Sequence, residues 1–190
     1  MRLEITRARR EHVPDMLRIT NDEASRSLAT AAYSDEPLHR WIEAWEREHD
    51  RYPWLVALSA ARDEEVVVGY AKASPFNPRE GFQWSVSLSV YLSPEAQGQG
   101  LGVALYERLF TLLKAQGFRS VYARIALPNP ASYKLHERFG LTQTGLLPQF
   151  SWKFERWYDL AILTARLGDL EGPPSPLRGV DEVWSRSLEP

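Results

Sequence analysis

The 190-residue chain contains no cysteine and only two methionines. Without thiols there is no disulfide framework, no thiolate nucleophile and no cysteine-based zinc site, and no metal is expected. No apolar run approaches the ~18 residues a membrane span needs. The opening MRLEITRARREH is charged and alternating, without the apolar centre of a signal peptide. A soluble cytoplasmic protein with no membrane partner is the expectation. An excess of one charge is also lacking: 25 acidic against 23 basic residues leave a formal net charge of −2. That balance provides no overall basic field for nucleic acid.

What is present is apolar and aromatic. With 44% apolar residues and seven tryptophans, the chain can bury one sizeable core. Leu3 and Ile5 alternate as in a strand, and Val13, Met16, Leu17 and Thr20 then recur at helical spacing, as do Leu38, Trp41, Ile42 and Trp45. Residues 54–60 and 66–74 read as a hairpin around a charged turn, and 82–92 as the next strand. A long helix follows from Leu101 to Leu113, with Gly117 placed as its cap. Strand 120–127, helix 130–139 and two strands near 141–147 and 157–166 complete the pattern. From Gly168 the chain is rich in proline and glycine. Residues 1–167 are therefore expected to form one domain and 168–190 a tail, either disordered or anchored through Val183 and Trp184 on the body or on a neighbouring subunit.

The most informative segment is Gln97-Gly98-Gln99-Gly100-Leu101-Gly102, between a strand and a helix. A glycine turn that opens a helix leaves backbone N–H groups without partners where the helix dipole favours negative charge, a setting suited to phosphate. Its spacing is neither the dinucleotide fingerprint nor the phosphate loop ending in Gly-Lys-Ser/Thr.

The spacing resembles the pyrophosphate signature of the GNAT superfamily of acyltransferases. The resemblance extends from about residue 3 to about residue 167 and narrows to the phosphinothricin (methionine sulfoximine) N-acetyltransferases. It is carried by RYPWLVA at 51–57, GYA at 69–71, residues 79–94, QGQGLG, AQGFRSV at 115–121, LPNPAS at 127–132 and LHERFG at 135–140. It implies an α/β GNAT fold of order βααβββαβαββ, a mixed twisted sheet of about seven strands flanked by helices. It also implies acetyl-coenzyme A as co-substrate, a small amine acceptor and a homodimer. Trp41 and Trp45, or Trp152 and Trp157, are available for burial at the dimer contact, or all belong to the core.

By the same resemblance, the backbone of Val90, Tyr91 and Leu92, at a splayed and often bulged strand, would hold the pantetheine arm and offer an N–H to the thioester oxygen. Gln97 and the N–H groups of Gly98, Gly100, Leu101, Gly102 and Val103 would cradle the pyrophosphate. Asn129 and Ser132 fall along the pantetheine arm, although a turn or first-turn role explains each equally simply. His136 occupies the family's histidine position and is expected to transfer protons near neutral pH. The family's strand glutamate is replaced by Ser87, which is no base without a partner. Phe82 stands where the family usually has tyrosine, and Ser151-Trp152-Lys153-Phe154 where it has Gly-Phe-Lys-Phe, so by the resemblance Phe82 and Lys153 are expected on the acceptor side of the site. Arg79 matches the family arginine and suits a carboxylate, or is a solvated loop residue. The expected activity is direct acetyl transfer to an amino-acid-like amine. Transfer to a polyamine, aminoglycoside or peptide N-terminus, or a non-catalytic coenzyme A sensor, stands beside it.

Overall fold

Strand Leu3–Arg7 (β1) and the amphipathic helices Val13–Arg26 (α1) and Leu38–Glu48 (α2) precede a long hairpin, Trp54–Ala61 (β2) and Glu64–Pro75 (β3). Ser85–Leu92 (β4), Leu101–Gln116 (α3), Ser120–Ala126 (β5), Pro130–Arg138 (α4), Thr142–Lys153 (β6), Arg156–Arg166 (β7) and the short Val180–Trp184 (α5) follow. This computed structural model describes residues 3–61, 64–168 and 171–184. Among them, seven strands form one sheet in the order β1-β2-β3-β4-β5-β7-β6. The mixed α/β order is the expected one, with α5 added. β4 and β5 are parallel and the other neighbouring pairs are antiparallel.

Alternation along β4 assigns the two layers. Tyr91 stacks on Tyr70, whose hydroxyl meets Thr20 of α1, and Tyr70 in turn packs edge-on against Trp41 of α2. Leu92, on the opposite face, comes within reach of the Cβ positions of Gly69 and Gly102, and Gly102 also abuts Leu135 of α4. Helices α1 and α2 therefore cover one face of the sheet, and α3 and α4 the other.

Helix α3 is apolar on most sides because it is enclosed. Leu105, Tyr106, Leu109, Leu112 and Leu113 are fully buried. Gly117 closes it in the left-handed region at φ 94°, the conformation glycine adopts at least cost. Residues 171–184 lie along its end. Gln116 Nε2 donates to the carbonyls of Arg51 and Arg178 at 2.9 Å each, and Val180 and Val183 are buried. β6 runs past the expected stop at Leu147 to Lys153, with a register shift between Leu147 and Ser151.

Candidate active site

Parallel pairing between β4 and β5 covers only Ser85–Ser120, Val86–Val121 and Ser87–Tyr122. Beyond Ser87 the two strands diverge, while β4 stays in unbroken register with β3 as far as Leu92. The expected bulge in β4 is therefore absent, and the divergence alone opens the sheet. Backbone groups alternate in direction along a strand. Ser93 N–H donates to Val68 O on the β3 side, so the N–H groups of Leu92 and Val90, one and three residues earlier, point into the gap. Tyr91, between them, turns its backbone toward β3. A cavity of about 1000 Å³ fills the gap and reaches both faces of the sheet.

One end of the cavity is the start of α3. Gly98 and Gly100 have φ values of +74° and +79°, and the turn delivers the helix N-terminus to the gap. Gly98 and Gly102 line the cavity, as does Gln97, whose Nε2 donates to Leu92 O at 3.2 Å. Gly100, Leu101 and Val103 do not line it. Leu101 is buried, and Val103 N–H already donates to Gly100 O at 3.0 Å. On the other side of the gap Asn129 caps α4, its Oδ1 accepting from Ser132 N–H at 3.2 Å, and both residues line the cavity.

His136 is buried between α4 and α3, with its ring edge at the cavity. Nδ1 lies 2.7 Å from the Ser132 carbonyl, which can only accept, so the proton sits on Nδ1. Nε2 then accepts from the Tyr106 hydroxyl at 2.9 Å. Burial lowers the imidazole pKa, partly offset by the Ser132 carbonyl, and burial pushes the Tyr106 phenol well up. The ring is thus a neutral imidazole with both nitrogens engaged. Its polar neighbour on the cavity side is Ser132 Oγ, 3.4 Å from Nδ1.

At the other end a strap, residues 27–36, crosses from α1. Lys153 Nζ, buried and with its pKa lowered by that burial, donates to the carbonyls of Ser27 and Thr30 at 2.7 Å each. Tyr91 OH donates to Ala29 O at 2.8 Å, and Tyr33 OH donates to Trp152 O. Burial raises the Tyr91 pKa to about 12, so this phenol stays a donor. Asn21 fixes the far end of the strap through both backbone groups of Glu36. Ser87 and Ser89 line the cavity beneath the strap.

Arg79 and Phe82 lie elsewhere. Arg79 is exposed ahead of a short 3-10 turn, and Phe82 packs against Phe76 beside a second cavity of about 610 Å³. Lys153 holds the strap. Three charged wall residues escaped the sequence reading, Glu23, Glu36 and Arg124. For Arg124 a signal existed, a cation inside the otherwise apolar strand SVYARIA. For Glu36 none did, because the strap has no periodicity.

Residues 13–141 match the Acetyltransferase (GNAT) family, and the chain belongs to it. It is 41% identical over 157 residues to the phosphinothricin N-acetyltransferase of Streptomyces viridochromogenes, covering 82% of this chain and 83% of the relative. It is 36% identical over 167 residues to the L-methionine sulfoximine/L-methionine sulfone acetyltransferase of Pseudomonas paraeruginosa, covering 85% and 93%. A Sinorhizobium meliloti phosphinothricin acetyltransferase solved with acetyl-coenzyme A superposes with a TM-score of 0.82 at 30% identity, covering 92% of this chain and 94% of that one.

Proposed function

We propose that this chain is an acetyl-coenzyme A-dependent N-acetyltransferase acting on the primary amine of a small amino-acid-like acceptor of the phosphinothricin and methionine sulfoximine class. The observation that carries this reading is the gap where β4 and β5 part after Ser87. It joins a helix N-terminus at one end to a serine-lined wall under the strap at the other. The N–H groups at the start of α3 suit the pyrophosphate. The Leu92 N–H and Val90 carbonyl suit the amide-bearing pantetheine arm. The Val90 N–H is the donor we assign to the thioester oxygen, where negative charge grows as the tetrahedral intermediate forms.

The acceptor ammonium gives one proton to solvent water in the open cleft, and its nitrogen attacks the thioester carbonyl. The C–S bond breaks, and the departing thiolate takes the second nitrogen proton. Ser87 is not assigned as the base, since a neutral hydroxyl is a poor proton acceptor and no histidine or carboxylate hydrogen-bonds to it among the described residues. We assign His136 to setting α4 against α3 through its hydrogen bond to Tyr106. We further infer a cytoplasmic homodimer. Trp41 is buried and Trp45 packs against this chain's own core, whereas Trp152 and Trp157 pack edge-on to each other and remain 45% and 56% exposed, which supports the β6–β7 hairpin as the contact.

Release of free thiol from acetyl-coenzyme A tests the reading, with phosphinothricin, methionine sulfoximine, methionine sulfone, common amino acids and polyamines as acceptors. Turnover concentrated on the first three supports it. Turnover confined to polyamines, or donor binding without turnover on any amine, overturns it.

A further inference from the structure

Two charged side chains on the cavity wall form no salt bridge among the described residues. Among the described residues, Arg124 is the one Lys or Arg that lines the cavity, and it makes no ion pair and no side-chain hydrogen bond with any of them. Its place follows from register. Ser87 sits opposite Tyr122 at the last β4–β5 pair, so Arg124, two residues on, shares the face of Ser87 and Ser89 across the opened gap. Two glutamates line the same cavity. The Glu23 carboxylate is occupied by Arg26 at 2.6 Å and by the Ser27 hydroxyl. Glu36 has one hydrogen-bond partner, the neutral Trp41 indole N–H at 2.8 Å on Oε2, which aims the carboxylate and leaves Oε1 without a hydrogen bond; the Lys72 ammonium over the Trp41 ring feels its charge but forms no salt bridge with it. Both unpaired charges lie near the Tyr91 phenol, whose ionisation Glu36 disfavours and Arg124 favours.

We propose that Glu36 and Arg124 form a charge clamp for a zwitterionic acceptor, the guanidinium taking the α-carboxylate and the Glu36 carboxylate taking the ammonium. A planar guanidinium binds a carboxylate through two parallel hydrogen bonds, a geometry an amine without a carboxylate cannot use. Glu36 then supplies from the strap the carboxylate that β4 lacks at Ser87. The clamp rests on the transferase reading above and adds to it the acceptor's required pair of charges.

Steady-state kinetics on the full chain test the clamp, with acetyl-coenzyme A as donor and two acceptors, L-methionine sulfone and its α-carboxamide. Arg124→Gln is expected to raise KM for the acid by roughly ten- to a hundredfold, the range for a lost charge-assisted contact. KM for the amide should move by less than about threefold, and Arg124→Lys should recover part of the loss. Glu36→Gln should lower kcat/KM for acid and amide alike by roughly tenfold or more, with donor KM and thermal midpoint unchanged. Equal effects of Arg124→Gln on acid and amide, or none on either, overturn the carboxylate assignment. Unchanged kinetics of Glu36→Gln, or a loss of donor affinity, overturn the ammonium assignment. Wild-type protein that releases thiol with no amine at all overturns the transferase reading itself, a result separable from either variant outcome.

Discussion

The two ends of the cleft are built from different materials. At the α3 end the groups that face the cavity are backbone: the glycine turn and the outward N–H groups of Val90 and Leu92. At the strap end they are side chains, Glu36, Ser87, Ser89 and Arg124, drawn from three elements far apart in the chain. The contrast shows how the two halves of such a site tolerate change. A backbone site depends on conformation, which few residue types satisfy, while a side-chain site can be rebuilt one position at a time. Ser87, where the family resemblance leads one to expect a glutamate, would be a change of the second kind.

The largest expected effect tests the backbone end. A Cβ on Gly102 would lie 3.3 Å from Leu135 Cδ2 and 3.7 Å from Leu92 Cδ1, at the mouth of the gap. Gly102→Val should weaken acetyl-coenzyme A binding in calorimetry by roughly a hundredfold or more, since the added methyls occupy the donor's path. Gly100→Ala meets no neighbour but holds φ at +79°. It should cost about 1 kcal/mol of stability, with a much smaller loss of binding. Equal binding losses in the two variants would mean that turn conformation, and not access to the gap, governs the donor end.

Next in size is the bond that joins the helices behind the donor. Tyr106→Phe leaves the His136 Nε2 without its donor in a buried setting, at a cost of about 1–3 kcal/mol read from urea unfolding. With His136 positioning α4, kcat should stay near wild type. A fall in kcat with stability intact would place the Tyr106–His136 pair in the proton path.

A smaller effect separates the ends directly. Lys153→Met removes the ammonium that holds two strap carbonyls. Acceptor KM should rise by several-fold, up to roughly tenfold, while donor KM does not change. Equal changes in both would show that the strap is part of the donor site.

The smallest effect is on stability against pH. Folding lowers the His136 and His12 pKa values, chiefly by burial, so the unfolded chain binds more protons below the ordinary histidine range near 6.5. Their contribution is complete above about pH 6.5 and is lost as the pH falls through the lowered folded values. Urea midpoints should decline on acidification from pH 7.5 to 5.5, and the decline should be shallower in His136→Asn. An identical slope in that variant would assign the acid sensitivity to other groups.

By itself the sequence determined the strand and helix order, the glycine turn and the Asn129 cap. Each depends on contacts within a few residues: apolar periodicity, a left-handed glycine, a side chain reaching the third N–H ahead. The family blocks pointed to the same fold and to the donor. Tertiary structure decided the rest. Arg79 and Phe82 matched or neighboured a family motif, yet the 3-10 turn that carries them packs away from the main cavity. Lys153 was expected at the acceptor, yet its ammonium is taken up by strap carbonyls more than 120 residues earlier in the chain. Glu36 and Arg124 carry no local signal of a shared task, because what joins them is the point where two parallel strands part and the strap folded above it. The physical reason is range: backbone conformation is fixed by neighbours in sequence, whereas the company a charged side chain keeps is fixed by how distant segments pack.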